Sequence, residues 1–295
     1  MIQEELQKRK AGLILEGGSS RGVFTAGVLD YLLEKDFLFP YVVGVSAGAC
    51  NALSYVSQQK GRSFNCFAPK KKEDRYKNSV RQAFKQRSFY DMDKLFETFP
   101  KETFPYDFEA YLNQGMECEM VVTNVYTGKA EYLSEKDNME RLCQICRASA
   151  SLPLFSPMVM IDGVPYLDGG LADSVPLRHA LQTGHKKNVL VLTRPRGYRK
   201  KFPSESARMY IAFFKKYPNL VKSIYYRPYY YNKTMETIER LEDKGKIFVI
   251  RPTLPCPGRT EMDWEKLHAF YHHGYHTMVM EYERMKKFLG ISFDR

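Results

Sequence analysis

The stretch Tyr41-Val42-Val43-Gly44-Val45-Ser46-Ala47-Gly48-Ala49-Cys50-Asn51-Ala52-Leu53 places an apolar run, a Gly-Val-Ser-Ala-Gly turn and a helix-like run directly in series. A serine turned sharply between a strand and a helix has its hydroxyl lifted clear of the sheet, which is the setting of a G-x-S-x-G nucleophile elbow. The tight backbone there tolerates only small neighbours, which accounts for Gly44 and Gly48. The following helix aims its free N–H groups at the same place. Three fixed positions in five recur in many unrelated chains, so the pattern needs support from elsewhere.

Upstream, Ala11-Gly12-Leu13-Ile14-Leu15 reads as a short buried strand running into Glu16-Gly17-Gly18-Ser19-Ser20-Arg21-Gly22. A helix follows, its apolar side marked by Val23, Phe24, Gly27, Val28, Tyr31 and Leu32. A glycine and serine loop between strand and helix leaves backbone N–H groups uncovered, and these are donors for an anion. An oxyanion hole fits. A Walker loop does not, because Val23 and Phe24 follow Gly22 where Lys and Ser/Thr are required. The dinucleotide pattern fails as well, with Ser19 at its second glycine.

Downstream there are two Asp-Gly steps with different readings. Asp162-Gly163 lies between the apolar runs Val159-Met160-Ile161 and Val164-Pro165-Tyr166-Leu167, as a hairpin turn does. Asp168 closes the second run and is followed by Gly169 and Gly170, which let other backbone approach closely. This suits a carboxylate held against a serine, and Asp162 is read as a turn residue.

Taken together, Gly17-Gly18-Ser19-Ser20-Arg21-Gly22, Gly44-Val45-Ser46-Ala47-Gly48 and Asp168-Gly169-Gly170 resemble, in order and surroundings, the three motifs of the patatin-like phospholipases, in particular the bacterial ones. The likeness extends from about Gly12 to Arg194 and includes the flanks Arg147–Pro153 and Leu171–Leu177. It implies a three-layer α/β/α fold with a central, mostly parallel sheet, and a serine acyl hydrolase working through a Ser46–Asp168 dyad without cofactor or metal. Ser46 would attack an ester carbonyl and Asp168 would take its proton. Backbone N–H groups of the loop Gly17, Gly18 and Ser19, with that of Ala47, would hold the oxyanion. Arg21 would bind a substrate phosphate or brace the loop. The family loop usually has a third glycine where this chain has Ser19, and a serine is strained there if the position needs a positive φ.

Other chemistries fit less well. The order Ser46, Asp168, then His268, His272, His273 or His276 is that of an α/β-hydrolase triad, but Ser46 follows only the second strand. His268, His272 and His276 share one helical face yet span about 12 Å, too far for one ion. Cys143 and Cys146 are a lone pair within a helix and read as core residues. Acidic residues with the spacing of a calcium loop are absent.

With 295 residues, 44% of them hydrophobic, the chain can bury one large α/β core. Leu13–Leu15, Tyr41–Val43, Met120–Thr123, Asn188–Leu192 and Ile247–Ile250 read as strands alternating with helices, which puts the site at their carboxyl ends. We expect one domain, with a catalytic core over 11–195 and a helical C-terminal extension over 196–295. The start lacks a secretory h-region and no 18 apolar residues run together, so a cytoplasmic location with reduced thiols is expected.

The net charge of +11 is concentrated in two stretches. One runs from Lys60 to Arg87 and includes Lys85. The other runs from Arg194 to Arg227, includes Arg208, and is interleaved with aromatics through Tyr231. Such a stretch suits peripheral contact with an anionic membrane surface such as the inner membrane face, consistent with a lipid substrate. A solvated basic face over a tyrosine-rich core has the same composition, and so does an RNA-binding surface, which no motif supports. The expected reaction is hydrolysis of carboxylic esters of phospholipids or related lipids. The alternatives are a thioesterase or lysophospholipase with the same dyad, and a lipid-binding regulator without turnover.

Overall fold

The computed structural model describes residues 2–79, 81–83, 88–202 and 206–291. Lys85 and Arg87 of the first basic stretch lie outside the described residues, as does the side chain of Arg208 in the second. The strands are β1 (Ala11–Leu15), β2 (Tyr41–Val45), β3 (Glu117–Asn124), β4 (Ala130–Leu133), β5 (Val159–Ile161), β6 (Val164–Asp168), β7 (Lys187–Val191) and β8 (Phe248–Ile250). They form one mixed sheet, hydrogen-bonded in the order β5-β6-β3-β2-β1-β7-β8, with β4 also on β3. β3, β2, β1, β7 and β8 run parallel, whereas β4 and β6 pair antiparallel with β3, and β5 pairs antiparallel with β6.

The parallel strands are buried on both faces, which is why they read as continuous apolar runs rather than alternating ones. Leu13, Leu15 and Val42 face one helical layer, and Ile14, Val43 and Val45 face the other. The first layer contains helices Gly22–Glu34, Ala47–Val56, Met139–Ser149 and Trp264–Leu289. The second is built largely from Leu177–Gln182 and Pro218–Asp243. The arrangement is the three-layer α/β/α fold expected.

Two details differ from the sequence reading. The Gly22–Glu34 helix is buried on nearly every side, including Thr25 and Asp30, because the long Trp264–Leu289 helix covers the face turned away from the sheet. Asp30 is tolerated there because it accepts bonds from Gly61 N and the Tyr271 hydroxyl. The antiparallel edge was also only partly legible. β4 is short and half-exposed, with no distinctive pattern, whereas the Asp162-Gly163 hairpin between β5 and β6 has both residues at positive φ, 50° and 77°.

The contact between the two long helices depends on Gly27 and Gly274. A Cβ on Gly274 would overlap the Phe24 carbonyl, and one on Gly27 the Tyr271 carbonyl. Gly274→Ala is therefore expected to destabilise the chain by about 1–3 kcal/mol through overpacking. The check is urea unfolding, with a lower midpoint and an unchanged slope.

Candidate active site

β3 pairs in turn with two strands that point at each other. Its residues Glu117 to Val121 pair with β2, ending at Val45 opposite Val121. Its residues Val122 to Asn124 pair with β6, beginning at Asp168 opposite Val122. Since β2 is parallel and β6 antiparallel to β3, their carboxyl ends meet. Ser46 leaves one end and Asp168 closes the other.

Ser46 has φ 56° and ψ −121°, a conformation that L residues rarely adopt and that costs about 1–3 kcal/mol. The turn is held by hydrogen bonds. Ser46 N donates to Ser149 Oγ (2.9 Å), which itself donates to Val121 O (2.7 Å). Ser46 O accepts from Ala49 N and Cys50 N and starts the helix. The flanking glycines are required for close approach, as the tight turn implied. A Cβ on Gly44 would strike Gly48 O, and one on Gly48 would strike Leu15 O.

Asp168 is 1% exposed. Gly170 N donates to its Oδ1 (2.7 Å), while Thr123 Oγ1 donates to its backbone carbonyl. Oδ2 is enclosed and has no fully formed hydrogen bond, although the Ser46 hydroxyl is close enough to steady its charge. Burial raises the carboxyl above the ordinary aspartate range, and the opposing pull of Arg227, Ser46 and Gly170 N offsets only part of that rise. Gly169 lets this turn pass directly under Val121 O.

The glycine loop lies beside both residues. Ser19 adopts φ 49°, so the missing third glycine is a serine in the left-handed region. Among the described residues Gly17 N, Gly18 N, Ser19 N and Ala47 N donate no hydrogen bond within the chain. Gly17 packs against the elbow, where a Cβ would lie 2.9 Å from Val45 O. The loop is anchored by groups that no motif indicated. Thr193 N donates to the Glu16 carboxylate (2.7 Å), Thr193 Oγ1 to Gly17 O (3.0 Å) and the Tyr231 hydroxyl to Glu16 (2.8 Å). Ser20 Oγ donates to Arg259 O (2.9 Å). Arg21 is buried with Nε unpartnered, and burial beside Arg194 lowers it to about 10.

Two cavities meet at Ser46. One, of about 130 Å³, is mainly apolar and lined by Ala47, Leu53, Phe67, Met92, Phe96 and Tyr106. Part of its wall is the π-helical segment Lys94–Thr103. Cys50, Cys66, Cys143 and Cys146 also line it as free thiols, and burial pushes Cys66 and Cys143 up to about 11. The other cavity, of about 50 Å³, is polar and holds Gly17, Gly18, Ser19, Arg21 and Asp168. Among the described residues no histidine lines either cavity. His268 and His272 instead contact each other on the outer helix, and His273 Nε2 accepts from Thr253 N.

The sequence model of the patatin-like phospholipase family matches residues 13–181, the span that supplies the elbow, the loop and Asp168. The chain belongs to that family. Its members are lipid hydrolases, and the three motifs occupy one site here. Residues 217–290 match a further domain of unknown function, DUF6363. Similar proteins include the uncharacterized protein YjjU of Escherichia coli, 28% identical over 265 residues, covering 84% of this chain and 70% of YjjU. Among solved structures, VipD from Legionella pneumophila is similar with a TM-score of 0.45 and 13% identity over 93% of this chain and 67% of VipD.

Ser149 was passed over in the sequence reading except as part of a flank, yet its hydroxyl bridges two buried backbone groups. Ser149→Ala leaves Ser46 N and Val121 O unpaired, so a loss of about 1–3 kcal/mol is expected in thermal or urea unfolding.

Proposed function

We propose that the protein is a serine acyl hydrolase that cleaves carboxylic ester bonds of phospholipids or related lipids, with Ser46 as nucleophile and Asp168 as base. The observation behind this reading is the meeting of β2 and β6 on β3, which brings Ser46 and the enclosed Asp168 carboxylate together. Ser46 Oγ adds to the ester carbonyl as its proton passes to Asp168. The N–H groups of Gly18, Ser19 and Ala47, with that of Gly17, receive the oxyanion, each worth about 3 kcal/mol in such sites. Collapse expels the alcohol, which takes the proton from Asp168, and water releases the acyl group by the same steps in reverse.

Two features make a carboxylate workable as base to an alcohol. Burial raises Asp168 towards the working pH, and the free loop N–H groups stabilise the negative charge that develops. Arg21, enclosed beside the loop, suits bracing better than direct phosphate contact. The apolar cavity behind Ala47 suits the acyl chain. Ser19 keeps its N–H free despite its side chain, so its presence gives no reason to prefer a regulator without turnover.

Ester turnover tests the dyad. Ser46→Ala should abolish it, and Asp168→Asn should lower it about 10²- to 10⁴-fold. In the wild type kcat/KM should fall as pH drops through the raised Asp168 value, above the usual carboxylate range. Stability moves the opposite way. A carboxyl raised in the folded state contributes stability below its folded pKa and loses it as pH rises through that value. Asp168→Asn should therefore be at least as stable as wild type at neutral pH despite its loss of turnover. An inactive but destabilised Asn variant would point to a structural role instead.

Peripheral membrane contact belongs to the same reading. Phe202 (58% exposed), Phe213 (63%) and Tyr230 (56%) lie in the basic C-terminal stretch near Lys201, Lys215 and Lys216, and among the described residues no helix is long and apolar enough to cross a bilayer. Pelleting with anionic liposomes should be strong at low salt and weak in about 1 M salt, where charges are screened beyond about 3 Å. Binding indifferent to both salt and anionic lipid would contradict this contact.

A further inference from the structure

The polar cavity, which shares Ser19, Ser46 and Leu152 with the apolar one, is lined by five basic side chains, Arg21, Arg194, Lys200, Arg227 and Arg259, against two carboxylates, Glu16 and Asp168. It shares Lys200, Arg227 and Arg259 with an outer vestibule of about 270 Å³. These three come from three separate segments: the loop after β7, the Pro218–Asp243 helix and the loop after β8. All lie beyond the 13–181 span that defines the family, so the feature belongs to this chain's C-terminal part.

The cluster is only partly offset by the protein's own carboxylates, Asp168 and Glu16. Among the described residues none of the three makes an ion pair with a carboxylate within 4.0 Å; the ion pairs of the region involve Arg196, Arg199 and Arg251 instead. Lys200 Nζ donates to Ser174 Oγ (3.2 Å) and lies 3.6 Å from the centre of the Tyr231 ring. Arg227 Nε is buried without a partner, and its guanidinium and the Asp168 carboxylate border the same side of Gly170, 3.2 Å and 2.9 Å from where a Cβ would stand. Burial beside Arg227 holds Lys200 well below the ordinary lysine range. Enclosing Lys200 and Arg227 together without an ion-pair partner is costly unless an anion completes them. Glu16 cannot do so freely, being engaged by Thr193 and Tyr231.

We propose that Lys200, Arg227 and Arg259 form a subsite for the phosphate of a lipid, held on the alcohol side of the ester while the acyl chain occupies the apolar cavity. The placement of the chain rests on the hydrolase reading. The anion subsite does not.

The test uses the full chain with Ser46→Ala, so that ligands are bound without turnover. Calorimetry at low salt compares 1-oleoylglycerol 3-phosphate with 1-oleoylglycerol, both below micelle-forming concentrations, and inorganic phosphate as competitor. The phosphate lipid should bind about tenfold or more tightly than the neutral one, as charge-assisted bonds to arginine and lysine require. Inorganic phosphate should displace it. Arg259→Gln and Lys200→Met should each reduce the preference several-fold. Arg259 is exposed, so its substitution leaves the core packing intact even if a change at the enclosed Arg227 does not. Equal affinity for the two lipids, no binding of either, or a preference that survives both substitutions would overturn the proposal. Inorganic phosphate binding without any preference for the phosphate lipid would overturn the placement beside the ester. If the preference holds while wild-type protein fails to turn over any ester, the hydrolase reading falls and the subsite stands.

Discussion

The structure turns on an interruption in a hydrogen-bond ladder. β3 is longer than the strand beside it, and the unpaired remainder is taken up by a second strand arriving from the opposite direction. Where the two strands meet, neither can continue, and the backbone of each must turn away at once. One turn presents Ser46 to both cavities in a conformation that an L residue resists, and the other buries the Asp168 carboxylate. Ser149 closes the gap by joining Ser46 N to Val121 O, so the strain at the elbow is set against a satisfied pair of buried backbone groups.

The same junction explains the electrostatics. A carboxylate at the end of a covered strand loses water, which raises its proton affinity, and the nearest cation is Arg227 from a distant helix. That helix also supplies Tyr231 to Glu16, at the base of the glycine loop, while Arg259 reaches the loop through its backbone carbonyl to Ser20. The C-terminal segments thus bear on the site in two ways. They position the loop, and they line the polar cavity beside it with positive charge. An apolar chamber and a cationic one, meeting at a serine, have the polarity of a lipid ester with an anionic alcohol half.

Much of this could be read from the chain because the central features are local. The runs Ala11–Leu15, Tyr41–Val45, Met120–Val122 and Val189–Val191 within β1, β2, β3 and β7 are apolar, so their burial on two faces is written in composition. The elbow, the loop and Asp168-Gly169-Gly170 each combine a strand end with small residues. What escaped was long-range or lacked a periodic signal. Glu16 reads only as the first residue of the glycine loop, although its carboxylate organises residues 177 and 215 positions away. Arg227 was one cation among many in a basic, aromatic stretch, and only the fold distinguishes it from Arg196 and Arg199, which are paired to acids. The need for small residues at the elbow is legible, whereas the atoms that impose it, Gly48 O against Gly44 and Leu15 O against Gly48, come only with the fold.

The central claim is that Ser46 is activated where these strands meet. The most direct measurement is reaction of the purified, folded chain with a fluorophosphonate probe, with the adduct located by peptide mass spectrometry and Asp168→Asn run alongside. A single adduct on Ser46 is expected, forming far more slowly in the Asn variant. An unlabelled Ser46 in folded wild-type protein, or equal labelling in the two, would contradict it.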